Sequence, residues 1–400
     1  MRLIADEIMR RFITRGRLDV IYADGTRRRY GGGAGRAAAM WVKTARAERG
    51  LVLNSGLAFG EGYMDGEIEP AGCTLEDVLS VLMENLQDSS HVLNRLEGSL
   101  RFARRHIERA TSLAGARRNV AHHYDLNGTL YKLFLDDDLQ YSCAYFERDD
   151  MTLEEAQAAK KRHIALKLKL DRPDLRVLDI GSGWGGMALT LAKDFGARVT
   201  GITLSREQLD VSRRRVAEVG LEDRVEFRLL DYRALDERFD RIVSVGMFEH
   251  VGVLNYDVFF GKIRDCLTDD GVALLHSIGR MDGPGSTNPW LRKYIFPGGY
   301  SPALSETLAS VERSGLWVTD CEVLRLHYAR TIALWRERFA AHRDEIRALY
   351  DERFCRMFEF YLVGAELSFR LQGHMNFQVQ LTRSIGAVPL TRDYMVGGAG

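Results

Sequence analysis

Arg176-Val177-Leu178-Asp179-Ile180-Gly181-Ser182-Gly183-Trp184-Gly185-Gly186 is the stretch on which the fold turns. Its first five residues read as a buried strand, since Val177, Leu178 and Ile180 are apolar and β-branched residues favour extended backbone. Met187 to Phe195 then reads as a helix. Glycines at such a strand-to-helix junction let the main chain come close to a ligand, which the first helical amides face. Alone, the loop is a weak signal: it suits a dinucleotide pyrophosphate, or a tight turn that holds nothing. Read as Gly181-x-Gly183-x-Gly185, with Asp179 directly ahead of it, it weighs against the dinucleotide fingerprint.

Outward from this loop the alternation continues. Ala197–Leu204 is a second strand, and the segment from Ser205 to Val219 a second helix, with Ser205 as N-cap and Gln208 closing a capping box. Arg224–Tyr232, Phe239–Phe248 and Gly271–Gly279 supply three more strands. Strand–helix repetition of this kind predicts an α/β domain with a doubly wound, Rossmann-like parallel sheet. From about Arg330 to Arg370 one or two amphipathic helices rich in aromatic residues follow.

Upstream, Leu18–Tyr30 alternates around Asp24-Gly25, a two-residue hairpin signal. Met40–Thr44 reads as a strand, Phe59–Pro70 as a glycine-punctuated segment, and Thr74 as the N-cap of a helix. These elements predict a small α+β domain over residues 1–115, followed by the α/β domain with its C-terminal helices over 116–400.

The chain of 400 residues carries 56 basic and 56 acidic side chains, so net charge gives no pull toward nucleic acid, and no nucleic-acid partner is expected. Charge is local instead. Val92–Arg118 holds seven arginines against two glutamates, with Leu93, Leu96, Leu100, Ala103 and Ile107 at helical spacing. This reads as a basic amphipathic helix on an anionic membrane surface, or as a solvated linker helix. No run of 18 apolar residues exists, and the N-terminus lacks the apolar core of a signal peptide. Cys73, Cys143, Cys266, Cys321 and Cys355 form no CxxC, which indicates neither disulfide framework nor zinc. A cytoplasmic protein touching the inner face of the membrane is the expectation.

Six ordered motifs then stand out: His122-His123-Tyr124-Asp125-Leu126, Tyr141–Phe146, Phe248-Glu249-His250-Val251-Gly252, Leu274–Ile278, Lys293–Gly299 and Phe377–Leu381. Together they resemble the cyclopropane-fatty-acyl-phospholipid synthase family, which includes the mycolic acid cyclopropane synthases, over about residues 120–385. The glycine loop itself resembles that of S-adenosylmethionine-dependent methyltransferases. The resemblance implies S-adenosylmethionine held by Tyr141, Ser142, Gly181, Gly183, Thr203, Leu204 and Gln208. Asp179, ahead of the loop, and Asp231 and Tyr232, after the third strand, join them by position. It also implies a bicarbonate ion as base, in a pocket of Cys143, Glu249, His276, Ile278 (through its backbone) and Tyr328. The acceptor would be the unsaturated acyl chain of a phospholipid, the enzyme a homodimer. Tyr145, Phe146, Phe248, Tyr294 and Phe296 are candidates for the acyl tunnel.

Each residue has a plainer reading. Cys143 serves as a small buried hydrophobe, His276 as a satisfied core histidine, Asp231 as a turn residue, and Tyr328 as a cap on the sheet. Glu249 and His250 pair with surface arginines. Two other outcomes remain open: a methyl- or methylene-branching transferase of the same family, and a lipid-binding protein with an inert domain.

Overall fold

The computed structural model describes residues 2–89 and 128–396. The basic stretch Val92–Arg118 and the motif His122–Leu126 lie outside the described residues. The chain forms two compact units, and neither is one continuous run. The first takes residues 1–107, 286–297 and 332–373; the second takes 108–285, 298–331 and 374–400. A single boundary near residue 115 is therefore too simple, because most of the aromatic helices near the C-terminus group with the N-terminal residues.

In the first unit, β1 (Arg17–Ile21), β2 (Arg27–Gly31), β3 (Ala37–Val42) and β4 (Ile68–Pro70) form a sheet of order β2-β1-β3-β4. The β1–β2 hairpin turns on three residues rather than two. Tyr22 N–H donates to Thr26 O, and Gly25 N–H to Tyr22 O, both at 2.9 Å. Gly25, at φ +82°, takes the left-handed position that follows a type I turn. Phe59–Met64, expected as glycine-broken chain, instead ends the helix Ala45–Met64. Trp290 Nε1 donates to Met64 Sδ at 3.2 Å, so the helix end is fixed by tertiary contact, which overrides the weak helix propensity of its glycines. Thr74 does cap the helix Leu75–Ser89: its hydroxyl accepts from Asp77 N–H at 3.1 Å, and Asp77 returns the bond to Thr74 N–H at 2.9 Å. Tyr63, Leu75, Leu79, Val363 and Leu367 pack together. The predicted one or two C-terminal helices are three: His327–Ala341, Arg343–Leu349 and Glu352–Leu371.

The second unit carries β5 (Arg176–Ile180), β6 (Arg198–Thr203), β7 (Val225–Leu229), β8 (Phe239–Val245), β9 (Leu267–Arg280), β10 (Trp317–Val323) and β11 (His374–Thr382). Their order is β10-β11-β9-β8-β5-β6-β7. From β9 to β7 every pairing is parallel, while β11 runs antiparallel to both β9 and β10. The expected doubly wound α/β sheet is present, with an antiparallel pair added at one end. Side chains alternate along a strand, so Val177 and Leu178 enter different cores. Val177 joins Ile164, Leu191 and Val216; Leu178 joins Phe259, Phe260 and Val311. Burying each such side chain contributes roughly 1.5–3 kcal/mol. Among the described residues no helix is long and apolar enough to cross a membrane.

Candidate active site

The carboxyl ends of parallel strands are where such sheets bind ligands. At the end of β5, Gly181 and Gly183 adopt φ +83° and +54°. A Cβ on Gly181 would lie 2.7 Å from the Met247 side chain, whereas Gly183 faces open space. The loop thus presents bare backbone, and the helix Gly186–Phe195 begins directly after it. Asp179, one residue inside the strand, is 2% exposed, and its Oδ2 has no partner among the described residues. Burial pushes its carboxyl up to about 7, against the pull of the Lys160 charge.

At the end of β6, Ser205 caps the helix Arg206–Val219 through Gln208 N–H at 3.3 Å. The box is not closed as expected. The Gln208 side chain turns to Thr203 instead, whose hydroxyl donates to Gln208 Oε1 at 2.9 Å. This buried pair leaves the Gln208 amide N–H groups to donate elsewhere, with the half-buried Leu204 between them. After β7, Asp231 accepts from Arg233 N–H at 2.9 Å and from its guanidinium at 2.7 and 2.8 Å, which is a turn-capping role. Tyr232 packs edge-on to Phe259 at 5.3 Å.

A segment before the sheet completes this side. Gln157 Nε2 donates to the carbonyls of Gln140 and Ser142 at 3.2 and 3.0 Å. One turn later on the same helix, Lys160 Nζ donates to Gln140 Oε1 at 2.6 Å and Ser142 Oγ at 2.9 Å. Residues three apart share a helix face, so the helix Leu153–Lys167 grips this segment twice. The Tyr141 ring meets Tyr131 edge-on at 5.4 Å. Cys143 is fully buried, and burial pushes its thiol well above the usual range, which makes it inert as a nucleophile. Ala144 N–H donates to Thr331 Oγ1 at 3.1 Å, so the start of the helix His327–Ala341 lies against this segment. Tyr328, buried, is on that first turn.

The loop after β8 binds the pieces together. Gly246 N–H donates to His276 O at 2.9 Å, and a Cβ at Gly246 would stand 3.9 Å from that of Ser142. Glu249 follows in a short turn, buried, with Oε1 accepting Ile278 N–H at 2.6 Å and its carbonyl accepting Tyr300 N–H at 3.0 Å. Its Oε2 is buried without a partner among the described residues, and burial pushes the acid up to about 7. Pairing with a surface arginine is thereby overturned. His250 is also held neutral, burial bringing its imidazole down to about 4.

His276 pairs with Gln378 across the β9–β11 ladder. Gln378 Nε2 stands 3.1 Å from its Nδ1 and Asn376 Nδ2 3.4 Å from its Nε2. A neutral imidazole has one N–H and one lone pair, so one of these amides meets it through oxygen. Burial brings its value down to about 3, so the ring is neutral at working pH.

Ser142, Gly181, Glu249, His276 and Ile278 therefore converge around Gly246 and Met247. The donor geometry expected for an anion differs in two places. The Ile278 amide is occupied by Glu249, because a buried carboxylate takes the nearest N–H, and both His276 nitrogens face β11 amides. Among the tunnel candidates, Phe248 is fully buried on Tyr256 at 4.3 Å, a core role, and Tyr145 stacks between His163 and His327 at 4.1 and 4.9 Å. Tyr294 and Phe296 belong to the first unit. Lys160, Gln157 and Asn376 escaped the sequence reading; the Gln378 motif was seen without a role. A lysine at an apolar helix position was the available signal.

Residues 111–379 match the family described as mycolic acid cyclopropane synthetase, and residues 5–93 match a domain of unknown function. The chain is 39% identical over 337 residues to the cyclopropane-fatty-acyl-phospholipid synthase of Escherichia coli (strain K12), covering 84% of this chain and 85% of that one. It is 36% identical over 386 residues to the tuberculostearic acid methyltransferase of Mycobacterium tuberculosis, covering 92% and 88%. Among solved structures it is similar to mycolic acid cyclopropane synthase CmaA1 complexed with SAH and CTAB, at 35% identity and TM-score 0.63, over 66% of this chain and 97% of that one.

Proposed function

The chain belongs to the mycolic acid cyclopropane synthetase family, and on that premise we propose that it closes a cyclopropane ring on the cis double bond of an unsaturated phospholipid acyl chain, using S-adenosylmethionine as methylene donor and bicarbonate as base. The observation that carries this reading is Glu249: buried, with Oε2 lacking a partner among the described residues, and raised by burial to about 7.

S-adenosylmethionine supplies an electrophilic methyl on a sulfonium. The bare backbone at Gly181 and Gly183 suits its amino-acid end, and the Thr203–Gln208 pair offers the polar contacts that a ribose requires. An alkene is already a π nucleophile, so nothing need deprotonate it first. Methylation leaves a carbocation on the acyl chain, which must then lose a proton from the new methyl group. Water would quench that cation, so a dry pocket is needed. His276 and Cys143 are fully buried and uncharged, and Glu249 near 7 is partly protonated. Of the pocket expected for bicarbonate, Glu249 supplies the open position: its Oε2, without a partner among the described residues, would accept the O–H of that ion, while the Ile278 N–H and the His276 nitrogens already face protein groups. Reaching an acyl chain requires a bilayer surface, where the basic stretch 92–118 attracts anionic lipid.

The similarity to the tuberculostearic acid methyltransferase favours a second reading, in which the cation is resolved as a branch. One experiment separates the two. Incubation with labelled S-adenosylmethionine, bicarbonate and mono-unsaturated phospholipid vesicles, then fatty-acid methyl ester analysis by NMR, should show cyclopropane protons replacing olefinic ones. A vinylidene or methyl-branch signal sinks ring closure. Glu249→Gln should slow ring formation by roughly 100-fold or more while cofactor binding is kept. Undiminished turnover in carbonate-free buffer removes bicarbonate from the scheme.

A further inference from the structure

Lys160 is a buried charge that the reaction above leaves unused. It is 0% exposed and donates to two neutral oxygens, Gln140 Oε1 and Ser142 Oγ. An ammonium has three N–H donors, so one is left over. Among the described residues it forms no ion pair, whereas its neighbour Lys161 takes Asp138 at 2.6 Å. Asp136 and Asp138 act on it only through space, without an ion pair, and buried charges of this kind gather at functional sites.

Asp179 is the reverse case. It too is buried, it too forms no ion pair among the described residues, and its Oδ2 lacks a donor. The Lys160 charge reaches it and stabilises its anionic form. A buried ammonium and a buried carboxyl, not paired with each other and each with an open hydrogen-bonding position, match a ligand that carries both signs.

Ser142 connects them to the ligand. Its oxygen accepts from the ammonium, so its own proton is directed away from Lys160, and among the described residues it has no acceptor. A hydroxyl polarised in this way is a strong donor to an anion.

We propose that Lys160 is a positioning residue for the methyl donor: through Ser142 it presents a charge-backed hydroxyl to the α-carboxylate of S-adenosylmethionine, while Asp179 receives the α-ammonium. This rests on the cofactor reading of the preceding section. A neutral side chain in place of the lysine would leave Ser142 free to turn its proton inward.

The test is calorimetric titration of the full-length protein with S-adenosylmethionine and with its decarboxylated analogue, which lacks only the α-carboxylate. The wild type should prefer S-adenosylmethionine. Lys160→Met should weaken binding of S-adenosylmethionine by about 10- to 100-fold and leave the analogue's affinity unchanged. Ser142→Ala should reproduce this selective loss, and it decides alone if Lys160→Met does not fold. Equal weakening of both ligands, or of neither, overturns the proposal by reducing Lys160 to a structural role. A wild type that binds neither ligand strikes the cofactor reading itself.

Discussion

Between Ile180 and Gly186 the candidate site is made by the backbone itself, whereas around Glu249 and His276 it is made of side chains drawn from distant stretches of chain. The loop works because atoms are missing: Gly181 sits where a Cβ would strike Met247, in a conformation that other residues avoid. The Glu249–His276 cluster is set apart by suppressed charge: burial leaves His276 neutral and Glu249 half-protonated near pH 7. Shape can be specified by consecutive residues. Protonation state cannot, because it depends on everything packed around the group.

Substitutions can break each half of this comparison. The largest effect should come from Gly181→Val, which adds a collision to a backbone strain of about 1–3 kcal/mol. S-adenosylmethionine binding should vanish in calorimetry; retained binding would mean that the loop does not hold the donor.

Next comes Glu249→Gln, read as stability against pH. The acid is raised from its usual value to about 7 in the folded protein. Between those two values the folded state keeps a proton that the unfolded chain has released, so wild-type stability falls as pH rises through that window. Glutamine removes this slope. By urea unfolding the variant should be the more stable by roughly 3 kcal/mol at pH 8, with no such advantage at pH 4. Asp179 adds a parallel slope and His276 an opposite one below pH 6.5, but both are common to the two proteins and cancel in the difference. An advantage that is flat with pH would show that Glu249 is not held up by burial.

The smallest effect sharpens the first. Gly25 also has positive φ, yet nothing lies within 4 Å of its added Cβ. Gly25→Ala should cost only about 1 kcal/mol in thermal unfolding and leave cofactor affinity intact. If it matched Gly181→Val in severity, backbone strain and not collision would be the governing quantity.

The same contrast explains what could be read without coordinates. β5, its glycine loop and the strand–helix repeats were legible because each is a local pattern of apolar period and turn chemistry. The loop's spacing said less than it first suggests: Gly181, Gly183 and Gly186 also satisfy G-x-G-x-x-G, and the choice of ligand rests on the ordered motifs beyond it. The hairpin was found at the right place but with a turn one residue too short, since Asp24-Gly25 fits both lengths. Ser205 was legible as a cap. The turn of Gln208 toward Thr203 was not, because two acceptable partners compete and only tertiary placement chooses. The Glu249 pocket was recognised by family likeness, and no spacing within the chain could have shown that Ile278 N–H would be taken by the carboxylate. Lys160 illustrates the limit most clearly. A lysine among alanines reads as a solvated helix face until the segment 140–142 is seen lying across it.

β11 closes the ladder beside His276, although nearly a hundred residues of chain separate it from β9. During synthesis the donor loop and strands β5 to β9 emerge first, and the imidazole waits for Asn376 and Gln378. A nascent chain halted before His374 lacks both amides that stand beside the histidine. Among the described strands β11 is the last in chain order, so the amides beside His276 are supplied after the glycine loop.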